Sequence, residues 1–161
     1  MELVDVSASA DTVSAGVSFS PGEPMRTSEI PGLSAAALAA LPGLRGHRCD
    51  NGAGLTFAQE LVDTELAHLI EHAALELMAM AGASPLLRGK TSWDFAAEGR
   101  GVFRVRIECE DEALARGAFD SAWAFVRALA RGDAAPNMEA EARRLRVARA
   151  REGEPEGLGE K

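Results

Sequence analysis

The chain has 161 residues and a formal net charge of −8. That length suits one domain, and a content of 47% hydrophobic and 26% charged residues excludes a largely disordered chain. An acidic surface repels nucleic acid, which is gripped through Lys and Arg on phosphates, and it favours encounter with a basic partner or substrate.

Residues 1–6 lack the basic and long apolar segments of a secretory leader. No run of about 18 apolar residues exists to cross a membrane. The two cysteines, Cys49 and Cys109, lack C-x-x-C spacing, so neither a thioredoxin-like pair nor a zinc knuckle is expected. Lone thiols without a leader lead us to expect a cytoplasmic protein, with no membrane and no nucleic acid among its partners.

In chain order, Leu3, Val4 and Val6 and then Val13, Val17 and Phe19 alternate loosely, predicting two strands joined as a hairpin at Ala10 and Asp11. Ile30-Pro31-Gly32-Leu33-Ser34 sets up a short helix with Ser34 as N-cap, and Pro42-Gly43 ends it. A glycine-rich loop follows. Residues 56–80 read as one helix, opened by a Thr56/Gln59 capping box. Its apolar stripe is Leu61, Leu66, Leu69, Ile70, Ala73, Leu77 and Met80. Residues 90–95 and 102–109 read as two strands around Gly99-Arg100-Gly101. In the second, Phe103, Val105 and Ile107 face one way and Arg104, Arg106 and Glu108 the other. Asp111 caps a further helix running to Arg131.

The order of elements predicts an α+β two-layer sandwich, an antiparallel sheet with helices packed on one face. A split βαβ arrangement is consistent with it. Residues 1–135 form the single expected domain. Residues 136–151 read as a charged helix with a thin seam at Leu145 and Ala148, and residues 152–161 as a disordered tail.

Two of the three histidines, His68 and His72, lie four apart in the long helix, with Glu71 before the second. The pattern is H-x-x-E-H, that of the inverted zincins. The spacing puts both rings on one face, about 6 Å apart along the axis. Two imidazoles so placed can hold Zn²⁺, or another divalent metal. In metallopeptidases a carboxylate at the Glu71 position takes a proton from the attacking water, whose pKa the metal has lowered. Glu108, ending a strand, is the expected third ligand. Its alternative role is a solvated carboxylate paired with Arg104 or Arg106. His47 is another option, in a loop that would fold back. Glu76 lies about 12 Å along the axis from His68, so it is expected to support a ring or another helix.

Further residues carry a family likeness. Ile30-Pro31-Gly32, Leu41-Pro42-Gly43-Leu44 with His47 and Cys49, and the run from His68 to Leu77 followed by Ala81-Gly82 occur in order. Gly89-Lys90-Thr91 and Gly101-Val102-Phe103, leading to Glu108, continue the series. Residues 27–131 thus resemble the N-terminal domain of bacterial cyanophycin synthetase. That resemblance implies association with cyanophycin, a poly-aspartate chain bearing arginines. In some members the H-x-x-E-H site resembles a metallopeptidase that cuts polymer into primers. The implied roles fall on His68, Glu71 and His72. Two neighbourhoods depart from the family, Thr64-Glu65-Leu66-Ala67 and Val102-Phe103-Arg104. No P-loop G-x-x-x-x-G-K-[ST] is present, so these residues do not by themselves make a synthetase.

Three functions are therefore expected in competition. The first is a zinc-dependent, peptidase-like hydrolase, or a remnant of one, acting on cyanophycin or a related arginine-rich amide polymer. The second is a non-catalytic module that binds cyanophycin or associates with a synthetase. The third is a structural partner that docks, or forms a homo-oligomer, through the seam of residues 139–151.

Overall fold

The structure is a computed structural model that describes residues 1–50 and 52–152. Four strands form one antiparallel sheet: β1 (Glu2–Ser9), β2 (Thr12–Ser18), β3 (Gly89–Ser92) and β4 (Val102–Glu108), in the order β1-β2-β4-β3. The helices are α1 (Leu33–Ala40), α2 (Phe57–Glu60), α3 (Leu66–Met80), α4 (Phe95–Glu98), α5 (Glu112–Arg131) and α6 (Met138–Glu152). The α+β sandwich expected from the sequence is the architecture observed. Strands β2 and β3 both run antiparallel to β4, which lies between them. They are therefore parallel to each other, as in a split βαβ unit.

Alternation along the strands decides which face is covered. Val13, Ala15 and Val17 of β2 pair with Ile107, Val105 and Phe103 of β4, and all six are buried. Helices α3 and α5 cover this face. Leu66, Leu69, Ile70, Ala73 and Leu77 of α3 enter the same core, as do Leu114, Phe119, Ala122 and Val126 of α5. Burial of a side chain of that size contributes about 1.5–3 kcal/mol, so the sheet face and the two stripes hold the layers together. The opposite face of the sheet carries Arg104, Arg106, Lys90 and Glu108.

Several local expectations are corrected. The predicted helix over residues 56–80 is two helices. The Thr56/Gln59 capping box is present, but it opens only α2. Thr64 then leaves the helical pattern: its N–H bonds the Thr27 hydroxyl at 3.0 Å, and its carbonyl accepts from the Thr27 amide at 2.8 Å. Asp63 accepts from the Arg26 guanidinium at 2.7 Å. These bonds give the backbone a better partner than a continued helix, so α3 restarts at Leu66. Gly32, in the left-handed region at φ 80°, takes the N-cap of α1 in place of Ser34. The Ser34 hydroxyl instead donates to the Leu61 carbonyl at 2.6 Å. Strand β3 stops at Ser92, because Asp94 caps α4 through the Ala97 amide at 3.1 Å and Phe95 begins that helix.

The charged helix α6 packs on α5 and α3 of its own chain. Its seam is Met138, Ala142 and Leu145, with Ala148 exposed. The side chain of Leu145 lies so close to Gly117 that a Cβ there would sit 2.7 Å from it. Leu145 of the expected seam is thus spent within the chain, while Ala148 stays exposed. The tail expected to be disordered lies, from residue 153 onward, outside the described residues.

Candidate metal centre

Helix α3 brings His68, Glu71 and His72 to the side that faces β3 and the loop of residues 47–56. The loop is folded back by two contacts. The Phe57 amide donates to the His47 carbonyl at 3.0 Å, and Arg48 forms an isolated bridge with Thr56. This fold-back carries Cys49 to the helix. Phe57 closes the floor, stacked on the His72 ring at a centroid distance of 3.9 Å and set edgewise to His68.

Three donor atoms converge. His72 Nε2 lies 3.1 Å from His68 Nε2 and 3.2 Å from Cys49 Sγ. Cys49, His68 and His72 could hold a metal ion, with all three donor atoms within 4.8 Å of one another. A tetrahedral ion with bonds of about 2.0–2.3 Å separates its ligand atoms by about 3.3–3.6 Å, close to the two separations from His72 Nε2.

The hydrogen-bond partners fix which ring nitrogens carry protons. A carboxylate only accepts, so His47 donates from Nε2 to Glu76 Oε2 at 2.8 Å. His47 Nδ1 is then an acceptor, and it takes the Nδ1 proton of His72 at 3.0 Å. His72 Nε2 is left with a bare lone pair. Likewise the Thr64 hydroxyl donates to Glu65 Oε2 at 3.3 Å, so it accepts from His68 Nδ1 at 2.9 Å. His68 Nε2 also presents a lone pair. Two lone pairs and a sulfur facing one point are a donor set for a cation.

Electrostatics agree with that assignment. Burial pushes the His72 pKa far below its ordinary value, helped by its two histidine neighbours, and burial lowers His68 as well. Both rings stay neutral, so the 4.0 Å approach of Glu71 to His72 is not an ion pair. Burial, then the nearby Glu60 carboxylate, pushes the Cys49 thiol up. A bound divalent cation reverses that balance and deprotonates a coordinating thiol.

Glu71 is 4% exposed and accepts from the Thr91 hydroxyl of β3 at 2.6 Å. Burial raises its pKa to about 7, against the lowering effect of the Thr91 bond. Two glycines make room for the carboxylates: a Cβ on Gly89 would collide with Glu71, and one on Gly43 with Glu76.

The sequence-derived residues therefore divide. His68, Glu71 and His72 come together. Glu76 supports a ring, that of His47, as expected. His47 itself sits behind His72 and bonds its far nitrogen. Glu108 does not join them. It follows Ile107, which faces the helices, and so projects from the uncovered face of the sheet, where its Oε2 accepts from the Arg88 amide at 2.9 Å. That bond also replaces the expected pairing with Arg104 or Arg106. Cysteine spacing alone does not single out Cys49, which has no cysteine partner. The signal available was His47-x-Cys49 in a glycine-rich loop just ahead of the histidine helix. Glu60 has no motif to announce it either; its Oε2 is buried and has no hydrogen-bond partner among the described residues.

Residues 17–131 match the family described as "Cyanophycin synthase-like N-terminal domain". The chain belongs to that family. A 57-residue stretch is 40% identical to the cyanophycin synthetase of Trichormus variabilis (strain ATCC 29413 / PCC 7937), and equally to that of Nostoc sp. (strain PCC 7120 / SAG 25.82 / UTEX 2576). The stretch is 35% of this chain and only 6% of each relative.

Two outcomes are expected. Replacing His47 with Ala frees the His72 ring to take its other tautomer, so zinc affinity falls about 10- to 100-fold in a competition titration; a change under about twofold would remove this role. The second concerns pH. The Glu71 pKa is raised on folding, so the folded chain holds a proton that the unfolded chain releases between about pH 4.5 and 7. Stability from this group is therefore lost as pH rises through that window. Without metal, Glu71→Gln should gain on the wild type as pH rises from 5 to 8, by on the order of 3 kcal/mol in urea unfolding. A difference independent of pH would contradict the assignment.

Proposed function

We propose that this domain is a zinc-dependent amide hydrolase of the inverted-zincin type. Cys49, His68 and His72 would hold the metal, and the substrate would be cyanophycin or a related arginine-rich amide polymer. The reading rests on the convergence of His68 Nε2, His72 Nε2 and Cys49 Sγ beside a buried Glu71. Zinc, when bound, supplies a Lewis acid that lowers the pKa of water and polarises an amide carbonyl. Glu71 takes the proton of the attacking water. Burial raises the Glu71 pKa in the metal-free site, and a bound cation would lower it again, leaving a carboxylate able to accept that proton. Thr91 fixes its orientation. A groove of about 1290 Å³ opens over the cluster; Arg48, Arg88 and Lys90 line it as well as the carboxylates Asp50 and Glu60. Such carboxylates can pair with substrate guanidinium groups. The substrate class comes from the family relation.

One observation favours a second reading, a metal-stabilised binding module. Glu60 lies beside Cys49 and His68 and has an unpartnered buried oxygen. If that oxygen fills a fourth coordination position, the site is closed, as structural zinc sites are.

Protein purified without an affinity metal should carry about one zinc per chain. Cys49→Ala and His72→Ala should lose it, and Glu108→Ala should keep it. Glu71→Gln should keep the metal while cyanophycin hydrolysis falls at least about 100-fold. Absence of zinc from the wild type refutes the metal reading. Zinc without hydrolysis, and with polymer binding unchanged in Glu71→Gln, selects the binding module.

A further inference from the structure

The two edges of the sheet are built differently. Edge strand β1 is interrupted: its register with β2 shifts between Val4 and Ser7, and Asp5 sits at φ 52°. Irregularities of that kind keep other strands from pairing with an edge. Edge strand β3 pairs with β4 in unbroken register from Gly89 to Ser92.

The ladder shows which β3 backbone groups are left over. The Cys109 amide donates to the Asp11 carbonyl and the Glu108 amide to the Arg88 carbonyl. Groups of odd-numbered β4 residues thus turn towards β2, and those of even-numbered ones towards β3. In an antiparallel pair, bonded and non-bonded positions alternate. Residues 88, 90 and 92 therefore bond β4, while the N–H and C=O of Gly89 and Thr91 point outward. The side chain of Thr91 faces α3, where it holds Glu71, and Gly89 abuts the same carboxylate. The open edge thus borders the groove at Glu71. Trp93, at 53% exposed, and Leu86, at 82%, form apolar lips on that groove.

We propose that the outer edge of β3 receives substrate as an added strand. An extended α-amide backbone pairs with Gly89 and Thr91, and its basic side chains meet Asp50 and Glu60. Four residues of strand span about 13 Å, enough to carry one amide past Glu71. Main-chain bonds then supply affinity and the groove walls supply side-chain preference, as in other strand-addition complexes. The inference takes the position of the groove from the proposed function, but not metal or hydrolysis.

The test uses the full chain in chelator, so that metal plays no part. The probe is an end-capped Arg-Ser-Arg-Ser-Arg-Ser peptide, compared with a copy N-methylated at its three central amides. The methylated copy keeps its charges and loses backbone donors, and should bind at least about tenfold more weakly. In the wild type, hydrogen exchange at Gly89 and Thr91 should slow on adding the unmethylated peptide. Thr91→Pro removes an outward N–H that the ladder does not use and should weaken binding at least about tenfold. Equal binding of the two peptides, or unchanged exchange at Gly89 and Thr91, overturns the proposal whether or not Thr91→Pro folds. So does exchange that slows with protein concentration alone, which assigns the edge to a second copy of the chain. A protein that lacks zinc but passes this test would sink the hydrolase and leave the strand-addition site standing.

Discussion

The buried His72 ring, the half-buried His68 ring and the buried Glu71 carboxylate share one side of α3, and the rest of the site answers to that constraint. A buried polar atom without a partner costs about 1–3 kcal/mol. The neighbours of His68, Glu71 and His72 remove that cost one bond at a time. Thr64 takes the far nitrogen of His68, His47 takes that of His72, and Thr91 donates to Glu71. Glu76 fixes the direction of the His47 bond. The Nε2 atoms of His68 and His72 and the sulfur of Cys49 converge, a set that could hold a cation. His72, 4% exposed and held neutral, is the hinge of this network.

The fold supplies each neighbour from a different distance along the chain. The break before α3 exists because Thr27 and Arg26 hold Thr64 and Asp63, and that break presents the Thr64 hydroxyl to His68. The fold-back of residues 47–56 brings His47 to one side of His72 and Cys49 to the other. The split βαβ topology sets β3 at the edge of the sheet, close to α3, so that Thr91 reaches Glu71. Gly43 and Gly89 leave the space in which Glu76 and Glu71 sit.

The parts of this site that follow from helical periodicity were legible in the sequence. Four residues separate His68 from His72, and a regular helix converts that spacing into a shared face whatever the rest of the chain does. The rise per residue likewise places Glu76 beyond the metal, and it does support a ring. The covered face of the sheet was legible too, since Phe103, Val105 and Ile107 alternate. The same alternation argued against Glu108: helices cover the apolar face, so a residue out of phase with Ile107 points away from α3. Local capping gave Thr56 and Asp111 their roles. Cys49 was less legible, because its place depends on a loop closing through Arg48 and Thr56, a contact between unlike segments with no period to announce it. The break at residues 61–65 was hidden for a related reason. Apolar spacing continues through it, and the residues that interrupt it bond to partners near position 26.

The central claim is that one sulfur and two imidazole nitrogens share an ion in this domain. X-ray absorption at the zinc edge of the zinc-loaded protein reads that set directly. The account predicts a single Zn–S contact near about 2.3 Å with two histidine nitrogens at about 2.0–2.1 Å. A first shell of nitrogen and oxygen alone, with no sulfur, would contradict it.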